Sequence, residues 1–303
     1  MPSPREASSP ELLSALSEAA SGIKTTIETM LPLTDAPENK LVEAMRYATL
    51  EGGKRMRPFL VIECAKLFSV DVMRAKRVGA ALEFVHCYSL VHDDLPAMDD
   101  ADLRRGIPSL HKKYDEATAI LAGDALLTLA FEVIADAETH HDPYVRCELT
   151  SLLAKASGMG GMVGGQMLDL LGETQSFDIG QISRLHRMKT GMLMSFACEA
   201  GAVLGKADDS RRKALRNYAF DLGLAFQVTD DILDVEGDPA KTGKEKGKDA
   251  AAGKSTFVTT LGAEQARMRA EMLVHQAIRH LHVFDSRADV LRAFAMYVLE
   301  RRA

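Results

Sequence analysis

Apolar residues recur along most of the chain at three- and four-residue intervals, as in Val78, Leu82 and Val85 with Ser89 one turn on, and no stretch alternates strictly enough to read as a strand. The pattern predicts an all-α helical bundle. Ser9-Pro10-Glu11 reads as a helix start, a capping hydroxyl before a proline at the first helical position. Residues 1–9, with Pro2, Pro4, Ser8 and Ser9, read as a flexible arm and 10–303 as a single domain. Gly52-Gly53-Lys54-Arg55 fits the end of a helix that stops near Leu50, with Pro58 opening the next. The run from Gly158 to Gly165 has the composition of a helix break, yet small residues four apart also let helices approach closely, and close packing is the expectation here. Gly237 to Gly253 concentrates Gly, Lys and Ala, including Lys241, Lys244, Lys246 and Lys248, and reads as a cationic loop able to close over an anion. Lys246 and Lys248 fit ordinary surface positions.

Composition narrows the function classes. A 303-residue chain with 47% hydrophobic residues and no Trp must build its core from Leu, Ala, Val, Ile and Met. The net charge of −6 argues against a nucleic-acid surface. Cys64, Cys87, Cys147 and Cys198 have neither CxxC spacing nor local His partners, so they read as reduced thiols, not a zinc site or disulfide framework. The first residues lack the basic and apolar regions of a secretory signal, and no run of 18 apolar residues suggests a membrane span. A soluble cytoplasmic protein is expected.

Two acidic clusters change this bland picture: Asp93-Asp94-Leu-Pro-Ala-Met-Asp99-Asp100 and Asp230-Asp231-Ile-Leu-Asp234. Ionised Asp is acceptor-only, and Mg²⁺ prefers one or two carboxylates plus phosphate oxygens and waters, so two clusters facing one cleft could bind divalent metal and hold a polyphosphate. Asp230 and Asp234 are i, i+4, about 40° apart on a helix, with Gln227 three residues before Asp230. Asp93 and Asp99 would stand roughly 120° apart on a regular helix, and Pro96 lies between them. The helix must bulge or end there if both carboxylates share a metal. Arg104-Arg105-Gly106 and Gly52-Gly53-Lys54-Arg55-Met56-Arg57 form compact basic sets suited to anionic oxygens. Gly253-Lys254-Ser255 matches the end of a phosphate-binding P-loop, but the required earlier glycine falls on Lys248 and no strand precedes it. Nucleoside triphosphate binding is rejected on that ground.

In order along the chain, these motifs with Leu121-Ala-Gly123-Asp124, Gly161-Met-Val-Gly-Gly-Gln166-Met-Leu-Asp169, Lys189-Thr190-Gly191, Phe226-Gln227 and Thr242-Gly243-Lys244 resemble the trans-polyprenyl diphosphate synthases, in their bacterial farnesyl diphosphate synthase branch. The resemblance runs from about Leu41 to the C-terminus. It implies a helical bundle of the isoprenoid synthase type around a deep central cavity, a homodimer, and Mg²⁺-dependent head-to-tail condensation of isopentenyl diphosphate with dimethylallyl or geranyl diphosphate. By the same resemblance, Asp93, Asp99, Asp230 and Asp234 are metal ligands, several Mg²⁺ ions binding with the allylic diphosphate. Asp94, Asp100 and Asp231 support them, Asp231 as a direct or water-mediated ligand. Catalysis would fall to Asp93, Asp94, Asp99, Arg104, Lys189, Asp230 and Asp231. Arg104, Lys189, Thr190, Gln227, Lys244 and Lys254 would meet the allylic diphosphate, and Lys54, Arg57, His86 and Arg105 the isopentenyl diphosphate. Gln166 and Asp169 would lie near the allylic pocket or serve as buried hydrogen-bonding groups.

Product length is read in that family from residues just before the first cluster. Tyr88, with Ser89, resembles the floor of synthases that stop at fifteen carbons, so farnesyl diphosphate is the expected product and geranylgeranyl diphosphate the alternative. A non-catalytic regulatory subunit should have eroded acids or basic contacts, and the motifs here are intact. A terpene cyclase would carry Asn, Ser or Thr with Glu in its second motif, where this chain has Asp-Asp-Ile-Leu-Asp. Head-to-head condensation calls for a dinucleotide fingerprint and an anchor, and neither is visible.

Overall fold

The Ser9 hydroxyl accepts the amide of Leu12 at 3.2 Å and Pro10 takes the first helical position, so α1 (Pro10–Met30) starts where its cap places it. The computed structural model describes residues 9–236 and 255–300. The proposed arm up to residue 8, Thr242 and Gly243, and Lys241, Lys244, Lys246, Lys248 and Lys254 lie outside the described residues.

α2 (Asn39–Leu50) ends at the predicted point, and the chain turns through Gly52 and Gly53 at φ +71° and +93° before α3 (Met56–Lys66). Those left-handed angles are the reason glycine stands there. α4 (Val72–Asp93) begins on Asp71, whose carboxylate accepts the amides of Met73 and Arg74. α6 (Glu116–Ala135) packs along α4, after the single turn α5 (Leu110–Lys113). Gly123 permits this closeness, since a Cβ there would stand 2.1 Å from Nε2 of His92. α7 (Pro143–Ser157), α8 (Met162–Gly172) and α9 (Ile179–His186) lead into one π-helical turn, Arg187–Gly191, and then α10 (Met192–Leu204).

α3 from Pro58 to Ala65 and α10 from Leu193 to Leu204 are buried on every side, the mark of central helices. α10 packs on α3, α7 and the long α11 (Asp209–Glu236). α11 in turn carries α13 (Ala263–His280), reached through the short α12 (Phe257–Leu261), and α14 (Asp289–Glu300) closes the described chain. Buried apolar residues from Leu12 to Val298 form one contiguous cluster. The all-α bundle expected from the sequence is therefore what the described residues adopt.

The structure departs from the expectation of no strands at one place. β1 (Leu103–Arg104) and β2 (Ile107–Pro108) pair antiparallel around Arg105 and Gly106, both at positive φ, +55° and +80°. That is the two-residue turn whose twist suits a hairpin, and strands of two residues are too short to leave an alternating signal. The glycine-rich run does two jobs at different positions. The chain breaks between α7 and α8 at Gly158 to Gly161, whereas Gly165, inside α8, lies against the π turn, where a Cβ would come within 2.2 Å of the Lys189 nitrogen.

Candidate active site

α4 runs to Asp93 and is capped by Asp94, after which the chain folds back. The amide of Asp99 donates to the carbonyl of Asp93 at 2.9 Å, that of Asp100 to Leu95 at 3.1 Å, and that of Ala101 to Asp94 at 3.1 Å. The helix ends, and its ending sets the backbones of Asp93 and Asp99 side by side. Burial pushes the Asp93 carboxyl up to about 6; Asp99 and Asp169 add to the rise, and Lys189 and Arg104 oppose it. Gln166 of α8 donates to Asp93 Oδ1 at 2.5 Å, so the amide that sequence reasoning left with two possible roles aims the first acidic cluster.

Asp94 has a different job. It is 2% exposed and accepts Arg104 Nε at 2.9 and 3.1 Å, with Nη2 also bonded to it. A fork held in this way is oriented, and of its five donors Asp94 engages only those on Nε and Nη2. The hairpin turn sends the next arginine the other way. Arg105 Nη1 donates to the Gly52 carbonyl at 3.3 Å, and a Cβ at Gly53 would lie 2.6 Å from that nitrogen. The two glycines therefore serve both the turn and the approach of Arg105.

Arg105, Arg57 and His86 share one electrostatic neighbourhood. Burial holds the His86 imidazole well below its usual range, and Arg57, Arg105, Arg55 and Arg104 push it further down, so at neutral pH it is an uncharged hydrogen-bonding group. Burial lowers the Arg57 pKa, and the charges of Glu83 and, less strongly, Asp230 oppose that. Arg57 Nε is buried with no hydrogen-bond partner among the described residues. Lys54 is exposed beside them, after the glycine turn.

Arg55 departs from the sequence reading of its motif as an anion-binding set. It is 5% exposed, its Nη1 is 2.5 Å from Oε1 of Glu83, itself 2% exposed, and its Nη2 bonds the Thr49 carbonyl. Its charge is spent inside the protein, tying the α2–α3 turn to α4. Glu83 was missed by sequence reasoning; its one signal is a lone carboxylate in the apolar run Ala80-Ala81-Leu82-Glu83-Phe84-Val85.

Opposite, the π turn presents two residues to two helices. Lys189 Nζ is 2.7 Å from Asp169 of α8, and the Thr190 hydroxyl bonds Oε1 of Gln227 on α11. An ammonium has three donors, so Lys189 can hold Asp169 and an anionic oxygen together. Single π turns inside helices recur at functional sites, and no local residue pattern announces this one. Gln227, Asp230 and Asp234 follow on the same helix, as their spacing predicts. Asp231 is 5% exposed and accepts the Phe257 amide at 2.8 Å, which ties α11 to the start of α12. Tyr88 is buried on α4 with its ring edge-on to His92, 5.8 Å between centroids. The Ser89 hydroxyl turns back to its own helix, donating to the His86 carbonyl at 2.8 Å.

Among the described residues no group of three or more His, Cys, Asp or Glu side chains is close enough to hold a metal by itself. The acids form two separate sets, one at the end of α4 and one on α11.

An all-α bundle that brings Asp93 and Asp99 together with Lys189 and Arg104 has the parts to hold a metal-bridged anion. Residues 38–296 match the polyprenyl synthetase family. The chain is 45% identical to the farnesyl diphosphate synthase of Escherichia coli K12 over 96% of its own length and 98% of that protein's, and 41% identical to chloroplastic geranylgeranyl pyrophosphate synthase 11 of Arabidopsis thaliana over 92% and 79%. The crystal structure of an FPP/GFPP synthase from Zymomonas mobilis, in its apo form, superposes with a TM-score of 0.88 at 48% identity, covering 95% of this chain and 99% of that one. The chain belongs to the polyprenyl synthetase family.

Proposed function

We propose that this prenyltransferase condenses isopentenyl diphosphate head to tail with dimethylallyl or geranyl diphosphate to give farnesyl diphosphate. The observation that carries the reading is the gathering of Asp93, with Asp99 beside it, and Asp169 in one electrostatic neighbourhood with Lys189 and Arg104. The allylic C–O bond breaks and the diphosphate leaves with its electron pair. The double bond of isopentenyl diphosphate attacks the allylic cation, and the proton then lost goes to the departing diphosphate. No nucleophilic side chain is needed. What the chain must supply is fixed positive charge where negative charge develops, and the ion pairs that orient Lys189 and Arg104 support that role for them. Thr190 and Gln227 add polar contacts to the allylic diphosphate, and Lys244 and Lys254 belong to the same set by motif. Arg57, Arg105, Lys54 and neutral His86 would hold isopentenyl diphosphate, a role that the clustering of Arg57 and Arg105 around His86 supports. The buried apolar face of α4 below Asp93 keeps water from the cation.

Mg²⁺ fits this donor set. Its ligands would be Asp93, Asp99, Asp230 and Asp234, which are all-oxygen and not arranged as a closed cage, as suits an ion shared with substrate phosphates. The raised pKa of Asp93 marks a site that disfavours its own negative charge and that a cation would relieve. Bound Mg²⁺ supplies Lewis-acid stabilisation of the leaving diphosphate. The sign of the pH effect follows. Asp93 ionises with difficulty in the metal-free fold, so its charge costs stability above about 6, and that cost is lost as pH falls toward the unfolded value. Metal binding must displace the proton, so apparent Mg²⁺ affinity should fall by about tenfold per pH unit below that point. Mg²⁺ titrations of turnover at about pH 7.5 and about pH 5 check this, and equal midpoints would contradict it.

Tyr88 supports the fifteen-carbon limit, being large and buried one turn and a half below Asp93. Tyr88→Ala should lengthen the main product by at least one isoprene unit; an unchanged product profile would remove Tyr88 from that role. Geranylgeranyl diphosphate from the unaltered chain would favour the alternative, which the identity to plant geranylgeranyl synthases keeps open. A homodimer is supported by α6, whose apolar window has a mean hydropathy of 1.7 yet is only 39% buried, with Ile120 and Leu121 44% and 58% exposed. That length and hydropathy would also suit a membrane span, unlike the expectation from sequence, but Ala119, Ala122, Leu126 and Ala130 pack into the bundle core. Residues 10–303 are proposed to act as one catalytic domain in the cytoplasm.

A further inference from the structure

Asp231 and Phe257 are buried at a junction that the reaction scheme above leaves without a task. The Phe257 ring is fully buried and stacks on His186, with centroids 5.5 Å apart and planes at 25°. The Arg269 guanidinium covers the ring at 5.4 Å, and the Phe257 amide is held by Asp231. Thr256 and Thr259 form a capping box at the N-terminus of the same short helix, each hydroxyl accepting the other's amide, and Ser255 accepts the Phe177 amide at 3.2 Å, so the ring sits on a braced backbone. His186 immediately precedes the π turn, and both Asp169 and Lys189 act on its imidazole.

We infer that Phe257, held by the Asp231 carboxylate, is a positioning residue for the π turn that carries Lys189 and Thr190, and that Asp231 serves the reaction through this brace and not as a metal ligand. The inference rests on the proposed prenyl transfer and deepens it. A π turn lacks the regular α-helical hydrogen-bond register, so its two side chains depend on neighbours for their aim. Gly165 crowds the turn from one side and Phe257 supports its entry from another. Loss of the brace should therefore weaken the grip on the allylic diphosphate and spare the isopentenyl diphosphate site, which is built from α3, α4 and the hairpin.

The test is steady-state kinetics of the full chain with geranyl and isopentenyl diphosphates. Phe257→Ala, and Phe257→Leu as a milder variant that keeps an apolar side chain in the core, should raise the KM for geranyl diphosphate by about tenfold, since small misplacements of positioned groups carry large kinetic costs. The KM for isopentenyl diphosphate should stay within about twofold. Asp231→Asn keeps an oxygen for the Phe257 amide and should hold turnover within about tenfold of the unaltered chain, whereas Asp231→Ala should behave like Phe257→Ala. Asp231→Asn falling as far as Asp230→Asn would put Asp231 on the metal and overturn the inference. So would a Phe257→Leu protein that melts lower but keeps both KM values. An unaltered chain that condenses no allylic diphosphate overturns the underlying reading as well, which separates the two failures.

Discussion

Asp93→Ala is expected to cut turnover by at least ~10²-fold, the scale of losing one preorganised charge stabiliser. Asp93 ends α4 beside Asp99, is aimed by Gln166, and lies in the field of Lys189 and Arg104, so its carboxylate stands where acidic and basic sets meet. Asp230→Ala should lose a similar factor from the opposite side. The fold should not suffer in parallel. Since the structure holds the Asp93 pKa at about 6, its negative charge opposes folding at neutral pH, and Asp93→Asn should melt at or above the temperature of the unaltered protein while turnover collapses. Thermal melts beside rate measurements on the same samples check both halves. Near-normal turnover in either alanine variant would remove that residue from metal binding.

Glu83→Leu is expected to have the largest effect on stability. It removes the carboxylate partner of Arg55 in a pair where both side chains are almost fully buried, leaving a buried guanidinium with no counter-charge from Glu83. Breaking one side of a buried pair costs about 3–5 kcal/mol, which in a chain of this size lowers Tm by on the order of 5–10 °C. The double variant Arg55→Met with Glu83→Leu should recover part of that loss, because the Arg55 charge is gone while Arg57 still lacks the Glu83 carboxylate. Differential scanning calorimetry of the single and double variants reads the coupling directly. A Glu83→Leu protein that melts like the unaltered one would show the pair to be idle.

The chemistry was more legible in the sequence than the scaffolding that aims it. Helix start and stop chemistry is local, so Ser9-Pro10 and the Gly52-Gly53 turn were readable, and the geometry of one helix relates Gln227, Asp230 and Asp234. The clash between the spacing of Asp93 and Asp99 and a regular helix correctly demanded an interruption, which the structure supplies as a helix end. Long-range pairing was not readable. That Asp94 turns inward to Arg104, that Arg55 is consumed by Glu83, and that Asp231 holds Phe257 depend on which helices meet, which no local pattern encodes. The π turn at Lys189 was equally silent, because Gly165, Gly191 and Gly223 set its close contacts from three different elements.

The most direct measurement is incubation of the purified protein with labelled isopentenyl diphosphate and dimethylallyl or geranyl diphosphate, with and without Mg²⁺, followed by chain-length analysis. Farnesyl diphosphate formed only when Mg²⁺ is present is the result predicted here. Condensation that proceeds equally after chelation, or no condensation with any allylic starter, would contradict the account.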